Sequence, residues 1–204
     1  MAKVSNIIPG GSGGNVLEII GGMCDGRTVS GVDRDYTLPN VTAYTSATTS
    51  HVELNGSAFS YKPPADTKTV LYRLWFNTQG RTDNNMLFHI QGQLGDGAGS
   101  ESFTTYSFAR YSIFDYDYST YNRAERFNTF TMPIRITGTD DIANSGTVAS
   151  WDDFRTIRCT IREYSSSYDL IYNYETYWDG TGTDNANGGT NLRRPHMEIV
   201  ALST

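Results

Sequence analysis

From residue 27 to its end the chain repeats one pattern: a short run of β-branched and aromatic residues, then a cluster of Gly, Pro, Asn or Asp. On a strand, residues two apart share a face, so alternation lays one apolar layer against a core and leaves the other wet. The candidate strands are 27–33, 36–44, 51–54, 58–62, 68–77, 85–94, 102–113, 125–138, 154–164, 169–178 and 195–203. Between them stand turn residues: Asn55-Gly56, Pro63-Pro64-Ala65-Asp66, Gly95-Asp96-Gly97, Gly138-Thr139-Asp140-Asp141 and Gly188-Gly189. Strands in this number, with no second helical block, predict an all-β protein. The expected form is an antiparallel two-sheet β-sandwich of the jelly-roll type. A length of 204 residues suits one such domain, and 14 tyrosines beside 20 glycines suit pleated sheets joined by many turns.

The first 26 residues read differently and set the expected boundary: a linker and short anchoring helix over 1–26, then the sandwich over 27–204. Pro9-Gly10-Gly11-Ser12-Gly13-Gly14 is linker composition. In Asn15-Val16-Leu17-Glu18-Ile19-Ile20, Asn15 is placed to cap a helix, with Glu18 at the third position of a capping box. Helical spacing would put Val16, Ile19, Ile20 and Met23 on one face, and Gly21-Gly22 would stop the helix. So short a helix is unstable alone and must dock. Val16, Leu17, Ile19, Ile20 and Met23 are therefore the candidate assembly or attachment contact, the plainer alternative being a plug for one end of the chain's own sandwich.

The stretch WDDFRTIRCTIREYSSSYDLIYNYETYWDGT, residues 151–181, predicts a hairpin. Ile157, Cys159 and Ile161 alternate with Arg158, Thr160 and Arg162, and Ser165-Ser166-Ser167 turns the chain. Leu170, Tyr172, Tyr174, Thr176 and Trp178 would form the core side of the return arm, with Glu175 facing the arginines. Cys24 and Cys159 are the two cysteines, and Cys159 at an inward position reads as a small buried hydrophobe rather than half of a disulfide.

Little here points to reaction chemistry. His51, His89 and His196 lie in separate segments without metal-ligand spacing, so no metal site or cofactor is expected. No Gly-x-Ser-x-Gly elbow and no phosphate-loop ending is present. Asp179 to Asn185 lacks a complete calcium-loop pattern and reads as a solvated loop. The expectation is a protein that is not an enzyme. A net charge of −6, with basic residues scattered singly, disfavours a nucleic-acid partner. No apolar run reaches membrane-spanning length, and MAKVSNIIPGGSGG lacks a secretory apolar stretch, so folding in a cytoplasm is expected. Ile113 to Arg126 has weak apolar periodicity and is the candidate exposed loop. Its tyrosines with their neighbour, Tyr111, Tyr116, Tyr118 and Tyr121, are the candidate receptor-binding residues, for stacking on a glycan or a protein.

Asn15 to Ile20 leading into Cys24-Asp25-Gly26-Arg27-Thr28-Val29 resembles the start of virion structural proteins of marine tailed phages. The likeness continues in Tyr36-Thr37-Leu38-Pro39-Asn40-Val41-Thr42-Ala43, Tyr61-Lys62-Pro63-Pro64, Ile161-Arg162-Glu163-Tyr164-Ser165 and Tyr177-Trp178-Asp179-Gly180-Thr181. It spans nearly the full length and is weakest over about 95 to 125. It implies a particle-associated β-domain, a capsid decoration or fibre component made in the host cytoplasm, and transfers no catalytic residue. The implied partners are other virion proteins, the major capsid protein first among them. A looser similarity to trimeric jelly-roll modules of the C1q/TNF kind rests on strand count and aromatic content. A homotrimer is the expected assembly, since such sandwiches close symmetric oligomers by burying one sheet face.

Overall fold

The computed structural model describes residues 15–80, 85–98, 100–116, 125–167, 170–175 and 192–204, and they are all β. In chain order the strands are β1 (Val16–Met23), β2 (Thr28–Ser30), β3 (Asp35–Thr37), β4 (Thr45–Ser46) and β5 (Val52–Glu53). Next come β6 (Phe59–Tyr61), β7 (Thr69–Gly80), β8 (Asn85–Gly95), β9 (Phe103–Tyr116) and β10 (Glu125–Ile136). The last are β11 (Thr147–Val148), β12 (Arg155–Glu163), β13 (Leu170–Tyr172) and β14 (His196–Leu202).

One sheet runs β1-β14-β7-β10-β11, antiparallel except for the short parallel β10–β11 pair. The other runs β5-β12-β8-β9, with β6 also on β12. Residues 52–61 act as one interrupted strand: β5 pairs Thr160 and Ile161, β6 pairs Arg155 to Ile157, and the Asn55-Gly56 turn lies between. There Ser57 N–H donates to the Leu54 carbonyl at 2.9 Å and Gly56 takes φ 92°, which glycine adopts at no steric cost. Two sheets in this order, with the chain crossing between them from β4 to β5, β6 to β7, β7 to β8, β9 to β10, β11 to β12 and β12 to β13, make an antiparallel β-sandwich consistent with the jelly-roll expectation.

Alternation explains which side chains fill it. Val70, Tyr72, Leu74 and Phe76 of β7, Phe130, Met132 and Ile134 of β10, and Ile157, Cys159 and Ile161 of β12 are all buried. The Tyr72 and Phe130 rings meet edge to face at 6.4 Å. The Tyr72 hydroxyl donates to the Ser57 carbonyl at 2.8 Å, which satisfies a polar tip in the core. Cys24 and Cys159 are buried free thiols, and Cys159 takes the inward position its strand alternation gives it.

Two expectations are corrected. Residues 16–23 are not a helix but the edge strand β1, paired along its length with β14. The segment is rich in β-branched residues and one helical turn gains little alone, whereas pairing with β14 satisfies its backbone. Glu18 caps nothing. It is buried, accepting from Val32 N–H at 2.6 Å and from the Tyr61 hydroxyl at 2.7 Å. Secondly, β12 and β13 form no hairpin: β12 pairs β5, β6 and β8, while β13 pairs β4 and β7 in the other sheet. Arg158 instead meets Glu53, and Glu175 meets Arg193. Thr176 and Trp178, the linker before residue 15, the loop 179–185 and the Gly188-Gly189 turn lie outside the described residues.

Candidate functional site

Each sheet turns one face outward, and the two faces differ in chemistry. On the β1 side, register places Ile19, Val200, Leu71 and Pro133 in one row across β1, β14, β7 and β10. Val16 and Leu202 extend it on one side. Beyond the Arg73–Glu198 ion pair at 2.7 Å lies a second row, Met23, His196 and Trp75, with the His196 and Trp75 rings at 5.4 Å. Val16, Ile19 and Met23 are 55%, 58% and 44% exposed. An apolar row spanning four strands on an outer face is the kind of surface that marks an interaction site.

Of the attachment residues read from sequence, Val16, Ile19 and Met23 do share an exposed face, through strand alternation rather than helical spacing. Ile20 points the other way and is buried in the core, and Leu17 stands at the register shift between Val16 and Glu18. Missed in the sequence were Leu71, Pro133 and Val200, because only strand register brings them beside Ile19.

The tyrosine cluster is not assembled by the described structure. Tyr111 lies within β9, not on a loop; its ring stacks on Phe130 at 5.5 Å and its hydroxyl donates to the Thr129 carbonyl at 3.3 Å. Strand β9 runs on to Tyr116, whose side chain lies outside the described residues, as do Tyr118 and Tyr121 altogether.

The opposite outer face carries a polar groove of about 260 Å³, lined by His51, His89, Ile90, Gln91, Arg110, Tyr111, Ser112 and Arg162. Register builds it: Arg162, His89 and Ser112 lie abreast on β12, β8 and β9, and Thr160, Gln91 and Arg110 form the next row. His51 reaches in from the segment before β5, its Nδ1 at 3.3 Å from Thr160 Oγ1. His89 Nδ1 lies 2.6 Å from Ser112 Oγ, while its Nε2 is shielded from solvent and has no hydrogen-bond partner among the described residues. Desolvation, then the Arg162 charge, lowers the His89 pKa below the ordinary imidazole value of 6.5. Desolvation lowers His51 likewise, joined by the charges of Arg162, His89 and Arg110. The sequence reading set Glu175 opposite Arg158 and Arg162, but Glu175 pairs with Arg193 instead, because neighbours across strands are set by register.

Among the described residues no three His, Cys, Asp or Glu side chains gather as a metal site. Burial pushes the Cys24 thiol up to about 12, with Asp25 adding to the shift, and pushes Cys159 up as well. Both are protonated packing residues at neutral pH, not thiolate nucleophiles.

No protein-family model and no curated protein matches the chain. Among solved structures, a CBM4 structure is similar over 74% of this chain and 75% of that one, at 15% identity and a TM-score of 0.28. The Eiger TNF of S. frugiperda is similar over 93% and 88%, at 12% identity and a TM-score of 0.26. A structure of infectious bursal disease virus, Gx strain, is similar over 88% of this chain and 42% of that one, at 11% identity and a TM-score of 0.25. At these scores the likenesses assign neither a family nor a function.

Proposed function

We propose that the chain is a non-enzymatic structural protein of a virion, a capsid decoration or fibre component that joins its particle through the outer face of the β1-β14-β7-β10 sheet. The observation that carries the reading is the apolar row Ile19, Val200, Leu71 and Pro133 across that sheet. Burying such a row against a neighbouring subunit or another virion protein is favourable by about 25 cal/mol per Å² of apolar area removed from water. The resemblance to phage virion proteins supports the same reading, since it starts on β1 itself. A homotrimer closed through this face is the assembly proposed, with the major capsid protein as candidate partner.

Ile19→Asp and Met23→Asp, alone and together, test it, because both positions are exposed and tolerate charge without loss of the core. The expected outcome is loss of trimer in sedimentation and loss of incorporation into particles. Normal trimers and normal incorporation of the double variant sink the proposal.

A second reading, display of a module that binds a host-surface glycan or protein, is favoured by the groove on the opposite sheet, which the particle contact leaves open. Screening the purified domain on a glycan array is its direct check.

A further inference from the structure

We infer that the groove between β8, β9 and β12 binds a tetrahedral oxyanion, sulfate or phosphate, free or as an ester on a larger ligand. The inference does not depend on a role in a virion.

Its first support is the state of the arginines. Arg27, Arg73, Arg158 and Arg193 each hold a carboxylate. Arg110 and Arg162 have no carboxylate partner among the described residues, Arg162 donating only to the Glu163 carbonyl at 3.3 Å. Arg34, Arg135 and Arg194 also lack a carboxylate among those residues but stand apart from one another, on Phe154, the Ser145 carbonyl and the Val41 carbonyl. Arg110 and Arg162 lie on adjacent rows of one face together with His51 and His89, and no lining residue is acidic. The chain carries 22 acidic against 16 Lys and Arg side chains, so this concentration of one sign runs against its overall balance. Like charges held together raise the energy of the fold, and an anion in the groove relieves that cost.

The second support is His89. Its Nδ1 is engaged by Ser112, but its Nε2 has no partner, and a buried polar group left unpaired is costly. Because that nitrogen is shielded from solvent, an oxyanion in the groove acts on it through charge, favouring the imidazolium, rather than by direct contact. Two guanidinium forks, two imidazoles, a serine hydroxyl and the Gln91 amide all offer donors, which is the equipment for a multiply charged oxygen ligand rather than a metal cation. The groove is smaller than the clefts that take drug-sized ligands, which fits one anionic group and its waters.

Among the described residues, the charged and titratable groups facing the site are His89 from β8, Arg110 and Tyr111 from β9, Arg162 from β12 and His51 from before β5; burial raises the Tyr111 pKa, so its phenol stays neutral. Tyr164, just beyond β12, packs on the His89 ring at 6.0 Å. Glu53, further along on β5, is engaged by Arg158. Binding therefore strengthens as pH falls and the two imidazoles take up protons.

The test is a histidine NMR titration of the full chain with inorganic sulfate and with inorganic phosphate, against chloride at matched ionic strength. His51 and His89 are expected to titrate at higher pH in sulfate and phosphate than in chloride. Arg110→Gln and Arg162→Gln are each expected to weaken binding roughly ten- to a hundredfold, the loss of one charge-assisted contact. Arg110 is an exposed strand residue, so its variant keeps the fold, and Arg27→Gln on the distant Asp25 pair serves as the unaffected control. Tighter binding of a sulfated oligosaccharide than of sulfate, lost on desulfation, identifies an ester as the ligand; equal binding identifies the free anion. Imidazoles that respond alike to chloride and to both oxyanions overturn the inference, as does a response unchanged in Arg110→Gln/Arg162→Gln.

Discussion

Glu18 shows how one residue ties the start of the chain to the sandwich. The residue is 6% exposed, and its carboxylate holds the loop at Val32 and the hydroxyl of Tyr61, whose ring packs edge to face on Trp151 at 6.2 Å. Tyr61→Phe keeps the ring packing and removes the hydroxyl donor. Leaving a buried carboxylate one partner short is expected to cost about 1–3 kcal/mol, read as a lower urea midpoint with an unchanged slope. A midpoint equal to that of the parent protein would show that water reaches the carboxylate. The two groove histidines make a second prediction. Their pKa values are lowered in the fold, so protonation favours the unfolded chain. Their contribution is complete above pH 6.5, the ordinary imidazole value, and is lost as pH falls below it toward the lowered folded values. Melting temperatures in chloride should fall less steeply below that pH for His51→Gln/His89→Gln than for the parent. Parallel curves refute the coupling. Neither role was legible beforehand: Glu18 matched a capping pattern, and His89 matched an ordinary strand position, because the partners of both lie on other strands.

Among the elements, β8 and β10 approach closely across the sandwich at Gly92. A Cβ there would lie 2.4 Å from Met132 Sδ and 2.9 Å from Phe130 Cζ, so only glycine fits between the layers. The β8–β9 register shifts between Gln91 and Gln93 at the same place, where a strand bends most easily. Gly92→Val is expected to destabilise by about 1–3 kcal/mol through overpacking, with part of the loss recovered in Gly92→Val/Met132→Ala. No recovery in the double variant would place the strain elsewhere. Strand positions were well marked in the sequence, since alternation in β7, β10 and β12 is strong. Their pairing was not. The Ser165-Ser166-Ser167 cluster reads as a hairpin turn, yet it carries the chain from one sheet to the other. A turn cluster says only that the chain changes direction.

At the scale of the whole molecule, two outer faces of opposite character stand on either side of one core: an apolar row on one sheet and a cationic groove on the other. Such a layout suits a protein that is held by one side and presents the other. If so, Ile19→Asp should abolish assembly while leaving sulfate binding intact, and Arg110→Gln should do the reverse; loss of both properties in either variant would mean that the faces are coupled through the core. What the residues determined alone is the β class, the turns and the inward set of a strongly alternating strand such as β12, because a period of two is a local property of the chain. Tertiary structure decided the rest. Val16 to Met23 became a strand because β14 was there to pair with it, and the rows on both faces exist only because register sets distant residues abreast. Backbone pairing and core burial choose that register over the entire sandwich, so no single segment can carry it.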